Sequence, residues 1–277
     1  MASPATEIGY AKINLALHVR QRRADGYHDL ETLFAFADDG DVLTAEPADD
    51  FSMQITGPFA AGLSQGADNL VLRAVTMLAE ANDISQPLRF TLNKRLPIAA
   101  GIGGGSADAA AALRLAERLW DGAPLRVPPT LIAPAIGADV PACLVSQSCF
   151  GQGVGADLSP LPDAGLAGLP ILLVNPGLAC PTGPIFQAWD GIDRGPLIPA
   201  DWQHGRNDLE APAVRLIPEI QTVLDVLARQ AGVRLARMSG SGATCFALFD
   251  SPDQRDRAAE RIQHSHAHWW TMATRLR

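Results

Sequence analysis

Residues 97–108 read Pro-Ile-Ala-Ala-Gly-Ile-Gly-Gly-Gly-Ser-Ala-Asp, and an alanine- and leucine-rich helical pattern follows at once. Four glycines in five positions resist both helix and strand, because ordering glycine costs the most backbone entropy, so the chain must turn here. The helix leaving the turn has Ala109, Leu113, Ala116 and Trp120 on one face, and Ser106 stands where its N-cap is expected. Glycine lets backbone N–H groups approach an anion, and a helix N-terminus adds unpaired donors and a positive dipole end. The segment therefore reads as an anion cradle; the plainer alternative is a tight strand–helix turn that binds nothing.

Three known phosphate loops compete for it. A Walker loop needs a lysine after its last glycine, and the chain has none beyond Lys94. A dinucleotide fingerprint needs a third glycine at position 106, which is Ser106; the acidic Asp121 lies at a suitable distance but in a Pro-rich loop. A protein-kinase loop would be accompanied by HRD and DFG elements, which are absent.

Around the cradle, residues 11–19 alternate and predict a half-buried strand, with Ala11, Ile13, Leu15, Leu17 and Val19 on one face and Lys12, Asn14 and His18 on the other. Residues 41–47 and 51–57 read as short strands. Residues 69–80 predict a helix capped by Asp68 or Asn69, and 88–97 a strand ended by Pro97. A Pro-rich loop over 121–130 leads to a short helix and the segment Ile136–Pro141. Residues 158–170 lack periodicity and mark a junction, dividing the chain into 1–165 and 166–277. Beyond it come a buried strand over 170–177, a long irregular connection over 183–206 of the kind that carries function, and a helix from about 207 to 230. Residues 235–249 read as two strands around a second glycine turn. Ser251-Pro252 opens a helix, and the last ten residues close as a strand. His264, His266 and His268 alternate on that strand's face; a solvated set is the plainer reading, a metal site the sharper one. The elements lack a βα repeat, which predicts an α+β fold in two lobes.

The 277 residues are 47% hydrophobic and 19% charged, enough to bury a core. A net charge of −8 argues against broad nucleic-acid or anionic-membrane binding. No run of about 18 apolar residues is present, the first ten residues lack a secretory pattern, and Cys143, Cys149, Cys180 and Cys245 have no CxxC spacing. Reduced thiols in a cytoplasmic protein are expected. Of the 22 basic residues only Lys12 and Lys94 are lysine. A chain that otherwise uses arginine keeps lysine where a compact ammonium is needed, or by chance.

Three segments together resemble the GHMP kinases: the loop just described, Ala11-Lys12-Ile13-Asn14-Leu15 followed by Asp25-Gly26-Tyr27-His28, and Ser239-Gly240-Ser241-Gly242-Ala243-Thr244. The departures are Tyr10 where a proline is usual, Ala99 and Ala100 for glycines, and Ala107 for a second serine. The resemblance implies a nucleotide-binding N-terminal lobe and a ferredoxin-like α/β-sandwich C-terminal lobe. It implies ATP, with Mg²⁺, as phosphoryl donor, held by Pro97, Ile98, Ala99, Ala100, Gly101, Ile102, Gly103, Gly104, Gly105, Ser106 and Ala107. It makes Asp139 a general base and Lys12 its partner. Asn69 matches an adenine-contacting position, with an N-cap role equally physical; Lys94 reaches ATP or is a solvated strand residue. The Asp-Gly-Tyr-His run narrows the resemblance to members that phosphorylate an alcohol carried on a cytidine diphosphate. The expected reaction transfers phosphate from ATP to the 2-hydroxyl of cytidine-diphosphate-linked methylerythritol, in non-mevalonate isoprenoid precursor synthesis. Tyr27 and His28 would read the cytosine, one by stacking and one by its edge; Phe186 matches a second stacking position, with ordinary core packing the alternative. Thr182 and Asn14 match substrate contacts. No nucleic-acid, membrane or protein partner is implied.

Overall fold

A computed structural model describes residues 4–120, 125–161 and 165–277. Asp121, part of the Pro-rich loop and part of the expected junction lie outside the described residues. The chain forms two compact units, each discontinuous in sequence. The first comprises Met1–Ala11, Asp39–Ile98 and Gly103–Ser146; the second comprises Lys12–Asp38, Ala99–Ile102 and Gln147–Arg277. Strands β1 (Ala5–Arg22) and β2 (His28–Pro47) pair with each other and supply residues to both units. Residues 41–47 are thus the end of a 20-residue strand rather than a short one.

In the first unit the second half of β2 pairs antiparallel with β4 (Leu88–Asn93), and β4 pairs parallel with β3 (Ser52–Thr56). The 88–97 strand ends at Asn93: Lys94 N still donates to Thr56 O of β3, but Arg95 N and Leu96 N turn to Asp41 Oδ1. Helix α1 (Leu70–Ala81) is capped by Asn69, whose Oδ1 accepts from Val71 N. It packs on α2 (Gly104–Leu119). The N-cap of α2 is Gly103 and not Ser106: Gly103 takes the left-handed conformation, φ 63°, and the helix starts at once, leaving Ser106 inside the first turn. Buried Ala107 and Ala109–Ala112 make α2 slim, so neighbours approach closely on several sides. Helices α3 (Pro129–Ile136) and α4 (Val140–Val145) complete the unit.

In the second unit the first half of β2 pairs with β5 (Cys149–Gln152), which pairs with β6 (Asp157–Pro160). A separate antiparallel sheet has the order β10-β7-β9-β8, from β7 (Pro170–Asn175), β8 (Val233–Met238), β9 (Cys245–Phe249) and β10 (Trp270–Arg275). Helices α7 (Glu219–Ala228) and α8 (Pro252–Ser265) cover it: Ile220, Val223, Leu227, Ala258 and Ile262 cluster with Leu172, Val174, Ala247 and Phe249. Four strands ordered 4-1-3-2 with two helices on one face form the expected ferredoxin-like sandwich.

Several local expectations change. The 207–230 helix is two, α6 (Glu210–Leu216) and α7, because Pro218 cannot donate into a continuous helix and disfavours a helical residue before it. Residues 183–206 hold α5 (Thr182–Gln187) and a 3₁₀ helix, Pro199–His204. His264 lies in α8, His266 caps it and His268 sits in the following turn, so the three share no strand face: the helix opened by Ser251-Pro252 continues to Ser265 and β10 starts only at Trp270. His266 stacks on Trp269 with ring centroids 3.9 Å apart. Strand β1 is buried on both faces from Ala11 to Val19; its polar side chains are paired inside the protein, as with His18 Nδ1 and Gly195 O.

Candidate active site

The phosphate loop is gripped through its carbonyls. Within the second unit, Ala99 O accepts from Cys180 N, Ala100 O from Thr244 N, Gly101 O from Ser239 Oγ and Ile102 O from Lys12 N, all at 3.0–3.2 Å. Four successive acceptors are turned into the protein. The first N–H groups of α2 have no intrahelical partner by geometry, so this end of the segment offers donors to an anion. The second glycine motif sits directly against the loop. A Cβ on Gly101 would stand 2.4 Å from Ser239 O and 2.8 Å from Gly242 N, and Gly101 has φ 75°. Only glycine fits there. Ala99 adopts φ 50° without being glycine, a strained choice for a residue with a Cβ. Sequence reasoning flagged Ser239, Gly240 and Gly242 as a motif but gave them no task; their separation of well over a hundred residues from the loop left no local signal of contact.

Lys12 and Asn14 share a buried network. Lys12 Nζ donates to Asn14 Oδ1 at 3.0 Å and lies 5.0 Å from the Phe34 ring centroid. Asn14 Nδ2 donates to Thr32 Oγ1 at 2.7 Å, Thr32 Oγ1 donates to Ala16 O, and Asn14 N donates to Ser239 Oγ. Lys12 is 5% exposed. Asp139 stands at the N-cap position of α4 and its side chain makes no capping hydrogen bond. Lys12 belongs to the second unit and Asp139 to the first.

Lys94 is not a solvated strand residue. It is 3% exposed, and its Nζ donates to Asp41 Oδ2 and Asp108 Oδ2, both at 2.6 Å. Burial opposes the charged ammonium, but Asp108 and Asp41 outweigh it and hold the Lys94 pKa above its ordinary value. Burial pushes the Asp108 carboxyl up to about 8 against the pull of Lys94, with Asp41 adding to the rise. Asp108 Oδ1 is buried without a hydrogen-bond partner. Asp41 Oδ1 accepts from Leu96 N at 2.8 Å, just ahead of the loop, and a Cβ on Gly104 would stand 3.0 Å from Lys94 Nζ. This trio ties the strand that enters the loop to the helix that leaves it. Asn69 uses its side chain locally: Oδ1 caps α1 and Nδ2 donates to Ser64 O.

A third feature lies wholly in the second unit. Between β1 and β2 a tight turn places Tyr27 N on Asp25 Oδ1, with Gly26 at φ 89°, and leaves the Tyr27 side chain 63% exposed. A core-packed turn aromatic would be hidden. His28 begins β2 and is buried, its ring 5.1 Å from that of Phe186 in α5 and edge-on to Trp189 at 5.7 Å. Burial, then the nearby Arg22 charge, lowers the His28 pKa. Thr182 Oγ1 lies 3.1 Å from Ser241 Oγ. Trp189 carried no motif and was missed by sequence reasoning.

The folded units and the loop define a class, and the comparisons agree with it. The description "GHMP kinases N terminal domain" matches residues 69–147 and "GHMP kinases C terminal" matches 192–268. The chain belongs to the GHMP kinase family and is a small-molecule kinase that uses ATP. It is 54% identical to 4-diphosphocytidyl-2-C-methyl-D-erythritol kinase of Rhizorhabdus wittichii, covering 98% of this chain and 94% of that one. It is 51% identical to the enzyme of the same name from Sphingopyxis alaskensis over the full length of both. A crystal structure of 4-(cytidine 5'-diphospho)-2C-methyl-D-erythritol kinase superposes with TM-score 0.82 at 36% identity, covering 98% of this chain and 99% of that one. Methanococcus jannaschii mevalonate kinase, TM-score 0.69 and 9% identical, shares the fold.

Proposed function

We propose that this protein transfers the γ-phosphoryl group of ATP to the 2-hydroxyl of 4-(cytidine 5'-diphospho)-2-C-methyl-D-erythritol, releasing ADP and the 2-phosphate. The observation that carries this reading is the aromatic slot of His28 and Phe186 beside the exposed Tyr27. A substrate without a base has no use for a stacking pair, whereas a pyrimidine gains roughly 1–3 kcal/mol from such a surface. Relatives about half identical over nearly the whole chain carry the matching name.

Phosphoryl transfer to an alcohol is governed by positioning and charge stabilisation. Residues Pro97–Ala107 hold the triphosphate, with the first amides of α2 as donors, and the collision a Gly101 Cβ would suffer supports a backbone shaped for close approach. Asn69 lies beside the adenine. Asp139 takes the proton from the 2-hydroxyl, and Lys12, hydrogen-bonded to Asn14, attracts the negative charge that develops. Tyr27 and Phe186 stack the cytosine, His28 bonds its edge, and Thr182 contacts the substrate. Among the described residues no three His, Cys, Asp or Glu side chains stand together. Mg²⁺ would accompany the triphosphate and offset its negative charge. Residues 1–165 carry the nucleotide loop and the catalytic pair, and 166–277 complete the substrate side. No helix among the described residues is long and apolar enough to cross a membrane, and all four cysteines are buried free thiols, in keeping with a cytoplasmic enzyme.

The test is ADP release with the cytidylyl substrate against homoserine and mevalonate under matched conditions. The cytidylyl compound should be turned over at least a hundredfold more efficiently, on the order of two well-made contacts; equal or lower turnover would end this reading.

A further inference from the structure

The base slot contains a cation that the reaction has not used. We propose that Arg22 is a positioning residue that fixes the tautomer of His28, so that the slot offers a hydrogen-bond donor and selects cytosine over uracil. The proposal rests on the reading of His28 as the residue that meets the base.

Arg22 is the last residue of β1. Its Nε donates to His28 Nε2 at 3.3 Å, and its Nη2 donates to Gln187 O at 3.2 Å, which pins the guanidinium on both sides of the slot. A guanidinium has only donors and does not deprotonate in proteins. His28 Nε2 must therefore be the acceptor. A neutral imidazole carries one N–H, so the proton sits on Nδ1. A doubly protonated ring would set N–H against N–H, and the Arg22 charge and burial both disfavour that cation. The rings packed against His28, Phe186 and Trp189, bring no charge. Among the described residues no protein atom pairs with Nδ1. His28 is left offering a fixed donor, Nδ1–H, that has no protein partner among the described residues.

Cytosine presents an acceptor at N3, where uracil presents N–H. A fixed Nδ1–H pairs with the first and opposes the second. Without Arg22 the ring is at liberty to take the other tautomer, which offers uracil the acceptor it needs.

The experiment reads the tautomer directly. Nitrogen-15 NMR of histidine-labelled protein at neutral pH, with the His28 signal assigned by its loss in His28→Gln, should show a protonated Nδ1 and a bare Nε2. Arg22→Met should give a mixture of tautomers. Arg22→Lys should restore the native pattern, because an ammonium also only donates. In parallel, the ratio of kcat/KM for the cytidylyl substrate to that for its uridylyl analogue should fall about tenfold in Arg22→Met, the size of one good hydrogen bond. The KM for ATP and the thermal midpoint serve as controls and should hold. In that variant the cytosine preference should return as pH falls, since a protonated ring again carries Nδ1–H. An Nε2–H tautomer in the native protein overturns the proposal whatever the substrate is. A tautomer mixture in Arg22→Met with an unchanged ratio overturns the link to base choice. A native Nδ1–H in a protein that turns over no cytidylyl substrate supports the tautomer lock and overturns the substrate reading instead.

Discussion

Lys12 and Lys94 are the same chemical group in two different settings. Both are buried, at 5% and 3% exposure, and each sits in a different compact unit. Lys94 is wedged between Asp41 and Asp108 at 2.6 Å, so its charge is neutralised and spent on structure. The hydrogen bond recorded for Lys12 goes to a neutral amide oxygen, with an aromatic face nearby. Its charge is held in place without being cancelled by those groups. Lys94, held between two acidic side chains, is suited to fastening a loop; Lys12, beside an amide oxygen and an aromatic face, is the one we assign to the reaction.

The comparison is sharpest when each ammonium is removed. Lys12→Met should lower kcat by about 10²–10³, the usual loss on removing a preorganised electrostatic group, while costing no more than about 1–3 kcal/mol of stability as Asn14 Oδ1 loses its donor. Lys94→Met should do the reverse: it leaves the buried Asp41–Asp108 pair without its cation and should cost about 3–5 kcal/mol in denaturant unfolding. If Lys94→Met melts like the native protein while Lys12→Met barely folds, the two roles have been assigned the wrong way round.

Acidity offers a second handle on the same trio. The folded-state pKa of Asp108 is raised, from 3.8 to about 8. The folded protein therefore keeps a proton that the unfolded chain releases. The contribution is complete below the unfolded value and is lost as pH climbs through the folded one. Native stability should fall between roughly pH 4 and 8, and Asp108→Asn, which cannot titrate, should remove that part of the slope. Parallel curves for the two proteins would mean that Asp108 is already ionised across the window.

The smallest expected effect lies in the loop itself. Ala99→Gly relieves a left-handed alanine, a strain of about 1–2 kcal/mol, partly offset by glycine's greater unfolded-state freedom of about 0.4–1 kcal/mol. The net gain in stability should be at most about 1.5 kcal/mol. A clear loss would show that the Ala99 methyl makes contacts worth more than its strain.

Much of the site was legible because its signals are local. The turn of Asp25-Gly26 that presents Tyr27, the Asn69 cap, the Ser251-Pro252 helix start and the glycine run before α2 each depend on a few neighbouring residues. The misreadings arose where partners are remote. Alternation in β1 was read as one wet face, but Asn14 finds Thr32 and Ser239, 18 and 225 positions away, and that face closes. Lys94 read as solvated because Asp41 and Asp108 are 53 and 14 positions distant. The single helix over 207–230 was a different kind of miss, since Pro218 was present to be read and the apolar spacing on either side outweighed it.

Sequence by itself determined the family, the two glycine motifs and the residue types available for chemistry, because backbone preference and side-chain spacing act over a turn or two. Tertiary structure alone decided that Lys94 meets Asp41 and Asp108, that Ser239 Oγ closes on Gly101 O across 138 positions, and that Arg22 faces His28 Nε2. Those outcomes depend on which buried polar groups meet, and burial makes each such meeting obligatory while leaving no trace of it along the chain.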